Sequence, residues 1–345
     1  MVKVGILGLG SIGKHVSRLL LDHRQGHEII GAVTLEAEFK GRPLAEVVGA
    51  TEQSDVIIGD NLEELLALHP TIVVDASRSF LEVIEDDLCA CLNAGANVVS
   101  SCEELAYPFA RWPEIGKKID NLARQEGVSV VGTGMNPGLI FDSLLLLATG
   151  AAWDIPYISG RRVVDVSKFS QNIHRRLGIG YTEGEFQAGH SDGSIAGHVG
   201  FPESIEIVIR AMGLRVDGHV SEEFDPMFSK GDTPTSYGTI GPGETTGFSQ
   251  IATAQVGDRE FIRLELILHL DPNSAGLAVG DSVNIEGSHP VYLRVEPGMD
   301  AVQGTSAQLV NSIPAVVAAE PGLLTVHNLP RTAAWLGAFE EIYNR

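Results

Sequence analysis

Two adjacent carboxylates, Glu103 and Glu104, follow a short apolar run ending near residue 101, in the stretch Cys102-Glu103-Glu104-Leu105-Ala106-Tyr107-Pro108. A carboxylate beyond the carboxyl end of a strand can take up and return a proton, or steady a cation. Neighbouring residues in extended chain point opposite ways, so one of the pair faces a crevice there and the other does not. The alternative is two surface acids opening a loop. A second chemical signal lies at the start of the chain, Gly8-Leu9-Gly10-Ser11-Ile12-Gly13. It follows the apolar run Val2 to Leu7 and opens a helical pattern through Val16, Leu19 and Leu20. The first glycine makes the tight turn. The second lets backbone approach a pyrophosphate, and the third lets helix and strand pack closely. The helix N-terminus, with Ser11 and Ile12, offers amide donors. The spacing predicts a dinucleotide site.

Further candidates lie where the other strands end. After Ile29–Val33, Thr34 stands where an acid often binds the adenosine ribose, with Glu36, Lys40 and Arg42 beyond it. A neutral Thr34 does not repel a 2′-phosphate, and Lys40 and Arg42 could pair with one. This gives a slight lean to NADP or dual use, while Glu36 could serve NAD and the two bases could equally be solvated. Ser77, in Asp75-Ala76-Ser77-Arg78-Ser79-Phe80, suits a loop passing under the cofactor, and Ser79 with Glu82 reads as a helix cap. Asn136 before Pro137 reads as a helix start, N-cap followed by N1, and could meet a nicotinamide carboxamide. Cys102 has no His close in sequence and reads as a buried strand-end cysteine. No spacing marks a metal site.

These residues need a scaffold. In the first 150 residues short apolar strands alternate with helical stretches, the pattern of a parallel sheet covered on both faces. From 151 to 300 antiparallel-type strands, among them 214–220, follow a Gly-, Ser- and His-rich stretch at 170–200, and 231–243 reads as a loop. A last helix at 301–320 heads a C-terminal segment, 301–345, that returns toward the first domain. The expected fold class is α/β: a Rossmann dinucleotide-binding domain, then an α+β domain on a mostly antiparallel sheet. The 345 residues are 44% hydrophobic and 20% charged, which excludes disorder. A net charge of −21 repels phosphate backbones and anionic lipid, which argues against nucleic-acid or membrane-surface partners. Three cysteines and the lack of a leader or an 18-residue apolar run point to a reduced, cytoplasmic protein.

Taken with the acidic stretch and the glycine loop, three further blocks resemble one family. They are Gly132-Thr133-Gly134-Met135-Asn136-Pro137-Gly138, Gly197-His198-Val199-Gly200-Phe201-Pro202-Glu203-Ser204 and Val310-Asn311-Ser312-Ile313-Pro314. The chain resembles the 2,4-diaminopentanoate dehydrogenases and their native amine dehydrogenase relatives, whose fold resembles dihydrodipicolinate reductase. The resemblance implies reversible oxidative deamination of a primary amine to a ketone or aldehyde plus ammonia, with NAD(P), in a homodimer built through the second-domain sheet. It implies that one acid of the Glu103-Glu104 pair is catalytic. Glu104 is favoured because it lies further past the strand and is freer to turn inward, and Glu103 is the alternative. The family's Arg…Asp-x-Ser pattern falls on Arg162, Asp165 and Ser167. Arg162 would bind a substrate carboxylate or else pair with an acid of the fold. Phe169 and His198 are further substrate-side candidates; His198 could instead anchor a loop. Lys168 and Ser170 stand where the family more often has Pro and Gly around the Phe. A cyclic-imine reductase would carry a paired-His stretch, which is missing here. A non-catalytic NADP(H) sensor would need no strand-end carboxylate.

Overall fold

The computed structural model describes residues 1–195 and 197–337. It divides into two units. The first is Met1–Ser143, Pro202–Ile207 and Asp300–Arg345, and the second is Leu144–Phe201 and Val208–Met299.

In the first unit the strands are β1 (Val2–Leu7), β2 (His27–Val33), β3 (Ile58–Gly59), β4 (Ile72–Asp75), β5 (Asn97–Ser100) and β6 (Ser129–Gly132). Between them run α1 (Ser11–His23), α2 (Leu44–Val48), α3 (Leu62–Leu66), α4 (Leu81–Asn93) and α5 (Pro113–Glu126). β4 and β6 are buried at every position, as strands covered on both faces must be. Every pairing is parallel, in the order β15-β6-β5-β4-β1-β2-β3. The seventh strand, β15 (Gly322–Leu324), was not foreseen: three residues carry no periodicity. Sequence order reverses direction at β1, which lies between β2 and β4. In an open parallel sheet a ligand crevice forms at such a switch point, outside the carboxyl ends. The glycine loop, Ser77 and the acidic stretch follow β1, β4 and β5 respectively.

The chain passes next into α6 (Ser143–Thr149). The second unit holds β7 (Ile158–Asp165), α7 (Gln171–Arg176), α8 (Glu183–Asp192), β8 (Asp217–Phe228), β9 (Thr233–Thr235), β10 (Gly238–Ile240), β11 (Thr245–Val256), β12 (Arg259–His269), β13 (Gly280–Ile285) and β14 (Val291–Val295). α9 (Phe201–Ala211) starts at its boundary with the segment 202–207. The six-stranded sheet runs β14-β13-β7-β12-β11-β8 and is antiparallel except for β12 against β7. Three readings need correction here. Residues 170–200 contain α7 and α8, and α8 has a complete capping box, Thr182 with Glu185, that the composition of the stretch concealed. The loop at 231–243 contains the hairpin β9–β10. The strand near 214–220 is β8, and it continues through Glu222, Glu223 and Asp225 to Phe228 because β11 pairs it along that length. Tertiary pairing outweighs the weak strand preference of acids.

α10 (Ala301–Val317) belongs to the first unit. Its Leu309, Val310, Ile313 and Val316 join Val4, Ile6, Val74 and Val131 in one apolar core. Its start also holds functional loops: Thr305 Oγ1 accepts the Met135 N–H at 3.2 Å, and the Ser306 hydroxyl donates to the Ile12 carbonyl at 3.3 Å.

Candidate active site

The glycine loop has the geometry of a phosphate cradle. Gly8 has φ +89°, and a Cβ there would lie 2.8 Å from the Ala76 backbone. A Cβ on Gly13 would lie 1.9 Å from the Gly8 carbonyl oxygen, so the helix meets the strand end with no room for a side chain. Gly10 faces open space, with nothing within 4 Å of an added Cβ. No side chain caps the start of α1, which leaves its first amides for an anion. A cavity of about 650 Å³ opens beside the loop, lined by Gly8, Gly10, Thr34, Glu36, Ser77 and Arg78, among others. A larger cavity, about 940 Å³, follows β2 and the 52–57 loop and contains no glycine-loop residue. The chain's own donors therefore fit a dinucleotide in the smaller one.

The adenosine end differs from expectation. Arg42 does not line this cavity; its guanidinium is paired with Glu46 at 2.6 Å. Lys40 is paired with Asp60. Both bases therefore have acidic partners, Arg42 four residues on and Lys40 just past β3. The cavity wall instead carries Glu36, Asp60 and Asp87, and Arg78 is the one cation among its described residues. Thr34 is buried at the strand end, and its hydroxyl accepts the Glu36 N–H at 3.3 Å, which turns the chain toward the cavity. Ser77 lines the same cavity and is held by Asp75, which accepts both its N–H (3.0 Å) and its hydroxyl (2.6 Å).

After β5 the chain forms a 3-10 turn, Glu103–Ala106. Glu104, expected to be the freer acid, is the more buried, at 4% exposure. Its Oε2 accepts the Leu81 N–H at 2.7 Å. The reason lies in α4. That helix begins at Leu81, with Phe80 as a cap residue that provides no side-chain bond, so neither Ser79 nor Glu82 acts as predicted. A carboxylate 23 residues away supplies the missing acceptor, and the helix N-terminus favours its negative charge. Glu103 is half-buried. Burial pushes its carboxyl up to about 7, and the nearby Glu104 charge adds to the rise, while its own N–H and the Ser79 hydroxyl pull it back. The turn thus places side by side an acid anchored to a helix and an acid that titrates near neutrality.

Cys102 is buried, its thiol donates to the Ser79 carbonyl at 3.2 Å, and burial raises its pKa well above the usual thiol value. It is held as a thiol, not poised as a nucleophile. Asn136 does not cap a helix. Residues 134–142 form successive turns with a cis Asn136–Pro137 bond, and α6 starts only at Ser143. Asp142 organises them, accepting the Gly138 N–H (2.7 Å), the Ser143 N–H (2.5 Å) and the Ser204 hydroxyl (3.1 Å).

The substrate-side candidates lie in the second unit. Arg162 is 2% exposed. It faces Asp281 at 3.6 Å and donates to the Met299 carbonyl at 2.5 Å. Its guanidinium thus faces an acid of the fold, the second of the two readings that the sequence leaves open. Phe169 packs against Val166, Ile179, Ile240 and Leu270. The His198 backbone is clasped by Gln250, whose side chain accepts its N–H (2.6 Å) and donates to its carbonyl (3.0 Å). The His198 ring stands edge-on to Phe201, centroids 4.8 Å apart. Among the described residues no cluster of His, Cys, Asp and Glu could hold a metal, and no helix is long and apolar enough to cross a membrane.

Residues 139–345 match the model of the 2,4-diaminopentanoate dehydrogenase C-terminal domain. The chain is 34% identical over 343 residues to the 2,4-diaminopentanoate dehydrogenase of Acetoanaerobium sticklandii, covering 99% of this chain and 97% of that one. The chain belongs to the 2,4-diaminopentanoate dehydrogenase family. An amine dehydrogenase of Streptomyces virginiae is 24% identical, with 96% of each chain covered. The solved amine dehydrogenase of Mycobacterium smegmatis superposes with a TM-score of 0.83 at 26% identity, covering 96% of this chain and 97% of that one. The family's dehydrogenase fold is thus shared over nearly the whole length. Sequence reasoning missed Asp75, Ser100, Arg78 and the amide of Leu81. Only Asp75 had a local signal, an acid two residues before a serine, the pattern of an Asx turn.

Proposed function

We infer that this protein is a nicotinamide-dependent amine dehydrogenase that converts a primary amine reversibly into a ketone or aldehyde and ammonia. The observation that carries the reading is an acid pair that follows β5 at the same carboxyl-end edge of the parallel sheet as the glycine loop that follows β1. The loop at Gly8–Gly13, the start of α1 and Ser77 would hold the dinucleotide. Bound there, it supplies a hydride acceptor, and in its reduced form a donor. The remaining steps fall to the chain. An alkylammonium has a pKa of about 10.4 and cannot lose hydride until it loses a proton. Glu103 takes that proton. Loss of hydride leaves a carbon–nitrogen double bond bearing positive charge, which Glu104 stabilises as the anion pinned by α4. Once Glu103 has passed that first proton to solvent, water adds to the carbon and Glu103 removes a proton from it; Glu103 gives this proton to the nitrogen and takes the hydroxyl proton as ammonia leaves and the carbonyl forms.

We further propose that the coenzyme is NAD(H). Glu36 stands on the cavity wall, Arg42 pairs away from it with Glu46, and Lys40 is held by Asp60 of the wall. A carboxylate accepts a bond from a ribose hydroxyl and repels a 2′-phosphate. The wild-type protein is expected to consume NADH faster than NADPH when given ammonia with a panel of ketones and aldehydes. No consumption with any carbonyl partner would sink the amine dehydrogenase reading. Consumption of an imine without ammonia would favour the reductase. Loss of a bond to a charged group costs about 1.5–3 kcal/mol, so Glu36→Ala should weaken NADH roughly 10–100-fold and narrow its advantage over NADPH. An unchanged NADH/NADPH ratio, or a selective loss of NADPH in Arg78→Ala, would move the phosphate reading to Arg78.

The homodimer is proposed to form on the second-unit sheet. β8 is a 12-residue edge strand, paired by β11 on one side only, and a long open edge is a template for association. Sedimentation at micromolar concentration should give twice the mass of one chain, and a single-chain mass would exclude the dimer.

A further inference from the structure

We propose that Asp75 is a positioning residue that locks the coenzyme loop and the acidic turn together, so that the coenzyme and both carboxylates are set as one unit. The inference rests on the roles given above to Ser77, Glu103 and Glu104.

Asp75 closes β4 and is 2% exposed. Both of its carboxylate oxygens are in use. Oδ1 accepts the Ser77 N–H and hydroxyl, and Oδ2 accepts the Ser100 hydroxyl at 2.6 Å. Ser100 Oγ in turn accepts the Cys102 N–H at 3.0 Å. Cys102 is the residue from which the turn carrying Glu103 and Glu104 begins. Two further bonds close the same circuit: the Cys102 thiol on the Ser79 carbonyl, and the Leu81 N–H on Glu104. The β4–α4 loop is therefore tied to the turn after β5 at its start, its middle and its end. Among the described residues, Asp75 is the carboxylate that bonds both Ser77 and Ser100.

This network is not what sets the sheet. The parallel ladder from Ile72 with Asn97 to Asp75 with Ser100 already fixes β4 against β5. A buried carboxylate is costly, and an apolar residue would serve stability as well. What Asp75 adds lies beyond the strand ends, in the two loops. The Ser77 N–H can only donate, and both hydroxyls donate to the carboxylate; an amide in its place removes the charge that strengthens these bonds and has to reverse the Ser100 bond, donating to its oxygen.

The test measures NADH affinity and turnover separately. Asp75→Asn should raise the NADH dissociation constant and lower kcat, each roughly 10–100-fold, the scale of an ångström misplacement at a reacting centre. Ser100→Ala cuts only the branch to Cys102. It should lower kcat about tenfold or more while leaving NADH affinity within about twofold. That split is the signature of positioning, since a purely structural role would lower the melting temperature and move neither constant in the folded protein. Unchanged constants in folded Asp75→Asn would overturn the proposal. If Asp75→Asn does not fold, Ser100→Ala decides: reduced kcat at unchanged affinity supports the link, and unchanged kcat overturns it. Should Glu103→Gln and Glu104→Gln keep normal rates, the acid assignment fails instead, and the two failures are distinguishable.

Discussion

Glutamine at either position of the acid pair is expected to cripple amination and deamination alike while leaving NADH affinity within about twofold. Glu103→Gln removes the group that titrates near 7, so the loss of general acid–base catalysis alone should be about 10²–10⁴-fold. The sign of the pH dependence follows. For deamination Glu103 must be unprotonated, so the wild-type rate should rise through a pH of about 7, and the variant should lose that limb. Glu104→Gln retains an acceptor for the Leu81 N–H but removes the charge, so it loses stabilisation of the cationic intermediate. It also removes the neighbouring charge that helps hold the Glu103 carboxyl up, and the near-neutral limb should shift to lower pH. The measurements are single-turnover rates against pH for both variants. If Glu103→Gln is fast and Glu104→Gln is dead, the proton passes through Glu104 and the two roles exchange. If both stay near the wild-type rate, the carboxylate mechanism is wrong.

Gly10→Glu is expected to abolish coenzyme binding in a protein that still folds. The fold is spared because an added Cβ meets nothing within 4 Å. The function is lost because the new side chain fills the space the pyrophosphate needs and sets a like charge at the start of α1. Gly13→Ala is the contrasting case. Its Cβ would meet the Gly8 carbonyl oxygen at 1.9 Å, so it should disturb the strand–helix junction itself and lower thermal stability. NADH titration with circular dichroism separates the two. Normal NADH affinity in folded Gly10→Glu would remove the dinucleotide cradle from this loop.

Several features were legible because they are local. The glycine spacing predicts the βα turn, since a tight turn and a close helix approach each demand the missing Cβ. Short apolar runs predict a parallel sheet, because strands covered on both faces have no polar side to show. The acid pair is visible as chemistry for the same reason: two carboxylates at a strand end are a composition, not a geometry. The resemblance drawn from five scattered blocks agrees with family membership established over the full length.

The division of labour within the site was not legible, because it depends on what each side chain meets across the fold. Position past the strand favours Glu104 as the free acid, yet α4 lacks a cap of its own and takes Glu104 from 23 residues away. Proximity in sequence offers Arg42 to the coenzyme, yet a helix-spaced Glu46 engages it first. Arg162 reads equally as an anion site or as half of an internal pair, and the acid that faces it, Asp281, lies more than a hundred residues later and is brought opposite it only by the sheet. Sequence by itself determined which chemistry this protein can hold: a cradle for a dinucleotide and carboxylates to move a proton. Only the tertiary structure decided which charges remain available for it, because a charge is committed by its nearest partner in space, and folding chooses that partner.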